Sequence, residues 1–133
     1  MHDLDQTTDD SLLDRLARLA WPQIEQSLDQ QGCAIIPGLL EPHLCQALSA
    51  LYPLPDLFRS RVVMARHGFG RGEYQYFAYP LPTLVQQLRG GLYPHLVPLA
   101  NRWQALMGLP GRFPDEHTAF LQRGRGVETP EIQ

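Results

Sequence analysis

The residues predict an α+β domain, mainly helical, with two to four short strands that make an incomplete sheet. Three observations lead there. Apolar residues recur at helical spacing through most of the chain, and Pro22, Pro42 and Pro82 stand where helices would begin. Two short β-favouring runs, Val62-Val63-Met64-Ala65 and Tyr74-Gln75-Tyr76-Phe77, flank a loop, 67–72, with glycine at 68, 70 and 72. The chain has 133 residues, the length of one domain able to bury roughly two-thirds of its unfolded surface.

The first segment, 1–31, is acidic and helical. Asp3, Asp5, Asp9, Asp10, Asp14, Glu25 and Asp29 face only Arg15 and Arg18. Leu12, Leu13, Leu16, Leu19 and Ala20 predict one helix, capped by Asp9, Asp10 or Ser11. Pro22 opens a second, with Ile24 and Leu28 inward and Gly32 as its stop. Residues 32–40 read as a buried strand ended by Pro37-Gly38. Pro42 then begins a helix that turns Leu44, Ala47, Leu48 and Leu51 inward, and 52–56 is a stiff connector. Cys33, in the apolar run, and Cys45, in this helix, are expected as small buried hydrophobes; two cysteines make no disulfide scaffold.

After the two β-favouring runs, Pro82 starts a helix with Leu84, Val85, Leu88 and Leu92 on one face. Gly90-Gly91 should weaken its end, and Pro94 and Pro98 predict a break and restart. Leu99, Trp103 and Leu106 form the face of the restarted helix, with Trp103 as a core anchor and His95 at the surface. Residues 113–121 supply one more short element, and 122–133 reads as a disordered tail.

The segment 58–82 carries most of the chemistry. Arg59, Arg61, Arg66 and Arg71 make a basic patch in a chain whose net charge is −3, and that overall charge gives no general case for nucleic-acid binding. Arg61, Arg66, His67 and Arg71 are the candidate groups for a phosphate or carboxylate, with Tyr74 and Tyr76 as a stacking wall. The structural alternative is that the glycines serve turns and the arginines pair with Asp56, Glu73 and Asp115. No histidine is followed two residues later by an acid. There is also no CxxC, Walker loop, GxGxxG or Gly-x-Ser-x-Gly, so no metal or catalytic residue is assigned. Absence of an 18-residue apolar run and an acidic start predict a soluble, cytoplasmic chain with no membrane partner.

Residues 32–40 with the helix carrying Cys45 and Leu48, the block 58–74, Tyr79-Pro80-Leu81-Pro82, Leu88-Arg89, Leu92-Tyr93-Pro94 and Ala100-Asn101-Arg102-Trp103 resemble the N-terminal half of Fe(II)/2-oxoglutarate-dependent oxygenases. The similarity is to a bacterial branch linked to oxidative repair of alkylated nucleic acid. The resemblance implies a double-stranded β-helix (jelly roll), of which residues 32–121 would be the N-terminal portion. It implies hydroxylation or demethylation of a nucleic-acid or small-molecule substrate. The His-x-Asp…His motif and the co-substrate residue of the complete family would follow position 121 and find no match here. The expectation is therefore a truncated, catalytically incomplete chain. Iron and 2-oxoglutarate belong to the complete family, neither is expected to bind this chain alone, and a partner would cover the open sheet edge. A small non-catalytic helical binding protein is the competing expectation.

Overall fold

The computed structural model describes residues 10–125. Helices α1 (Asp10–Ala17), α2 (Trp21–Gln31) and α3 (Pro42–Ser49) lead to an antiparallel hairpin of β1 (Phe58–Val63) and β2 (Glu73–Phe77). Helices α4 (Thr83–Leu106) and α5 (His117–Arg125) follow. This is a mixed helical and antiparallel-sheet architecture, and among the described residues the sheet has two strands.

Helix starts and stops follow the local signals. Pro22 and Pro42 occupy the first turns of α2 and α3, where a missing N–H costs nothing. Gly32 closes α2 in the left-handed region at φ 76°, its N–H donating to the Leu28 carbonyl. The expected apolar faces then meet in large part, although Leu106 and Leu13 are exposed. Leu12 and Leu16 of α1, Leu44 and Leu51 around α3, and Leu84 of α4 form one buried cluster. Leu57 and Phe77 pack against its edge and anchor the base of the hairpin.

Three expectations are corrected. Among the described residues, 33–36 have no regular structure and pair with no strand, 37–38 form a turn and 39–40 a bend. Ile35 is 86% exposed. The Arg15 guanidinium donates to the Gly38 and Leu39 carbonyls, so a side chain from α1 takes the place a neighbouring strand would fill. Cys33 is consequently exposed, and Cys45 is exposed on α3 next to the buried Leu44.

The second correction concerns α4, which runs unbroken through Pro94 and Pro98. A proline inside a helix costs about 3 kcal/mol, so tertiary contacts must hold this one together. Val97 and Leu99 are buried on either side of Pro98. Asp29 of α2 accepts from Arg102 Nη2 at 2.5 Å and Trp103 Nε1 at 2.6 Å, tying down the far end. Gly91 is no weak end. A Cβ there would stand 2.6 Å from Leu16 Cδ1 and 3.1 Å from Leu13 Cδ2, so the glycine is where α1 crosses α4 closely. His95 is half-buried and stacks on Trp21, ring centroids 4.4 Å apart.

The third concerns the C-terminal segment. Helix α5 continues to Arg125, into the stretch expected as a tail; the remainder of that expectation, 126–133, lies outside the described residues. Residues 1–9 of the acidic segment lie outside them too.

Candidate functional site

The hairpin places the six sequence-predicted residues on three different surfaces. Its register opposes Val62 to Tyr74, Arg61 to Gln75 and Val63 to Glu73, with a bulge between Phe58 and Ser60. Side chains alternate across a strand, so Arg61 shares a face with Glu73, Gln75 and Phe77, while Tyr74 and Tyr76 share the other.

On the first face Arg61 is engaged. Its Nε donates to Glu73 Oε2 at 2.9 Å and its Nη2 to Oε1 at 2.5 Å, a forked pair. Tyr52 Oη donates to the same carboxylate at 2.8 Å, and Gln75 Nε2 to the Tyr52 carbonyl at 3.0 Å. The bonds from Arg61, then from Tyr52, hold the Glu73 carboxyl below the usual carboxylate range. The same pairing raises Arg61 and Tyr52 above their ordinary values. One of the alternative ion pairs expected from the sequence, with Glu73, is thus present; Asp115 pairs instead with Arg112 at 3.2 Å.

On the opposite face Tyr74 and Tyr76 meet edge to face at 5.6 Å, and the Arg59 guanidinium lies 5.2 Å over the Tyr76 ring. Desolvation, then the Tyr76 neighbour, raises Tyr74. The hairpin tip holds the rest. Met64–His67 winds into a short 3₁₀ turn, Gly68 takes φ 72°, and Met64 N donates to Gly72 O at 2.9 Å to close the loop. Arg66, His67 and Arg71 are exposed there, and His67 faces Phe69, itself 73% exposed, at 6.3 Å between centroids. The arm therefore offers a solvent-facing cationic tip beside an aromatic face.

A second feature lies away from the hairpin. After α4 the chain turns back, and Asn101 clamps it: Nδ2 donates to Phe113 O at 3.1 Å while Oδ1 accepts from Phe113 N at 2.7 Å. Tyr93 Oη adds a bond of 2.6 Å to Pro114 O. These bonds set α5 against α4 and open a cleft of about 740 Å³ between them and Tyr79-Pro80-Leu81. Arg89, Pro94, Asp115, Glu116, His117 and Leu121 also line it. Arg89 Nη1 reaches Tyr79 Oη at 3.3 Å, and burial, then the Arg89 charge, push the His117 imidazole down. Sequence reasoning missed this site. Gln86, Arg89, Gly90 and Pro94 do share one helix face by their spacing, but nothing local shows that α5 returns to cover it.

Comparison with known families now bears on both features. Residues 72–130 match a family described as an oxygenase catalysing oxidative methylation of damaged DNA. The match supports a link to that oxygenase family and covers less than half of the chain, from the end of the hairpin loop through α5. No curated protein and no solved structure matches. Among the described residues, no three His, Cys, Asp or Glu side chains converge as a metal site. They therefore do not fit the two-histidine, one-carboxylate set implied by the sequence resemblance. Among those residues, no helix is long and apolar enough to cross a membrane.

Proposed function

We propose that this chain forms the substrate-facing part of an Fe(II)/2-oxoglutarate-dependent oxygenase that acts on damaged DNA. The observation that carries the reading is the family match over 72–130 joined to a basic, aromatic arm. The match includes the second strand of that arm, with the cationic tip just before it. Arg66, His67 and Arg71 contact phosphates through charge and hydrogen bonds, and Tyr74 and Tyr76 stack on unpaired bases. Arg61 acts from the other face by bracing the strands through Glu73. Iron and 2-oxoglutarate are held by residues other than those described. In this reading the free edges of β1 and β2 are completed by further strands of the enzyme, within a jelly roll.

The test is binding of a fluorescent single-stranded deoxyoligonucleotide across a salt series. We expect affinity to fall with salt. Arg66→Ala/Arg71→Ala should weaken it and flatten its salt dependence by about 0.7 in slope for each phosphate no longer neutralised. Affinity indifferent to salt and to both arginines would remove the arm from the function.

A further inference from the structure

We propose that the cleft between Tyr79-Pro80-Leu81, α4 and α5 receives a single nucleotide, its phosphate on Arg89 and its base against Tyr79 and the apolar wall. The proposal rests on the reading above that the substrate is nucleic acid. It assigns the place where one nucleotide is taken out of the strand.

Arg89 is the central observation. The residue is half-buried on the cleft side of α4, and among the described residues no carboxylate lies within 4.0 Å of its guanidinium. Its polar partner is the Tyr79 hydroxyl at 3.3 Å. Among the described residues the ion-paired arginines are others: Arg61 on Glu73, Arg102 on Asp29 and Arg112 on Asp115. A guanidinium in a concave site with no carboxylate paired to it can take an anion there, and its fork suits phosphate. Two acids also line the cleft: Asp115 pairs with Arg112 at 3.2 Å, and neither it nor Glu116 comes within ion-pair distance of the Arg89 guanidinium.

The rest of the cleft is shaped for an organic body. Pro80, Leu81, Pro94 and Leu121 give it an apolar wall, and Tyr79 presents its ring at the mouth, 61% exposed. A space of about 740 Å³ falls in the usual range for small-ligand sites and accepts one nucleotide, not a duplex. Enzymes that modify a base reach it by extruding it from the stack into such a pocket. His117 completes the site. Burial and the neighbouring guanidinium keep its imidazole neutral near pH 7, so it can donate or accept toward the bound nucleotide. A phosphate on Arg89 would cancel part of that field and raise the imidazole pKa, which makes His117 a reporter of occupancy.

The experiment follows the His117 ring resonances of the full chain by NMR. The probes are 2′-deoxyadenosine 5′-monophosphate, 2′-deoxyadenosine and inorganic phosphate. We expect the monophosphate to saturate and to raise the His117 pKa. Arg89→Gln should weaken it at least about tenfold, the loss of a charge-assisted hydrogen bond. Tyr79→Leu should weaken it about fivefold or more, and Tyr79→Phe should not. The proposal is overturned if His117 shows no saturable response, or if the response survives Arg89→Gln. It is equally overturned if inorganic phosphate binds as tightly as the monophosphate, an outcome the unmodified chain alone decides should Arg89→Gln lose its native spectrum. A silent His117 alongside arginine-dependent oligonucleotide binding removes the cleft and leaves the arm; silence in both assays removes both.

Discussion

Leu16 and Leu84 lose all but 1% and 0% of their solvent exposure where α1 crosses α4, whereas no residue of β1 or β2 is fully buried. The helical body is held by apolar area taken from water, a term that grows with every methylene. The arm is held by backbone pairing, one forked ion pair and aromatic edges, and only its base, at Leu57 and Phe77, touches the core. A two-stranded ribbon is marginal alone, so the body supports the arm rather than the reverse. The residues able to meet a substrate and those that keep the chain folded are therefore largely separate sets. Changes in one region should leave the other's readout in place.

The largest effect should come from the body. Leu84→Ala removes a side chain from the middle of the cluster and should lower unfolding free energy by about 2–5 kcal/mol, read by urea denaturation. The protein that remains folded should bind oligonucleotide normally; weakened binding at full occupancy of the folded state would break the separation. Next is Gly91→Ala. Helix propensity alone would favour alanine by about 1 kcal/mol, but the added methyl meets the buried Leu16 at 2.6 Å. Net destabilisation of about 1–3 kcal/mol is expected from overpacking. A gain in stability would show that the α1–α4 crossing yields easily to an extra methyl.

The arm supplies the complementary cases. Arg66→Ala/Arg71→Ala should change stability by no more than about 0.5 kcal/mol while altering oligonucleotide binding, checked by melting and by anisotropy on the same samples. A large fall in melting temperature would mean that the tip is structural. The smallest effect belongs to Glu73. Its carboxyl is held below the ordinary range by Arg61 and Tyr52, so the folded state binds that proton less readily than the unfolded one. The stabilisation is present above the unfolded value of about 4.3 and disappears as pH falls through the lower folded value. Glu73→Gln should therefore lower the melting temperature slightly at pH 7 and flatten its decline as pH falls below the unfolded value of about 4.3. An unchanged acid limb would show that the pair does not brace the strands.

The arm was more legible in the sequence than the cleft. Alternating Tyr74 and Tyr76 and the glycines at 68, 70 and 72 announce a hairpin from neighbours a few positions apart, and the structure pairs those strands. The register fixed only in the fold, however, sends Arg61 to the face away from the tyrosines. Proximity along the chain groups these side chains; strand alternation then separates them.

Residues near one another in sequence thus determined the helix starts at Pro22 and Pro42, the stop at Gly32, the apolar faces and the hairpin. Each depends on backbone geometry or spacing within a turn or two. Tertiary structure alone decided that 33–36 stays unpaired, that α4 survives Pro94 and Pro98, that Gly91 is a crossing point, and that Arg89 and His117 line one cleft. Those outcomes depend on long-range partners: Arg15 for the 38–39 carbonyls, Asp29 for Trp103, Asn101 for Phe113. Strand pairing and proline's helix penalty are both settled by whatever packs alongside, and no local pattern carries that information.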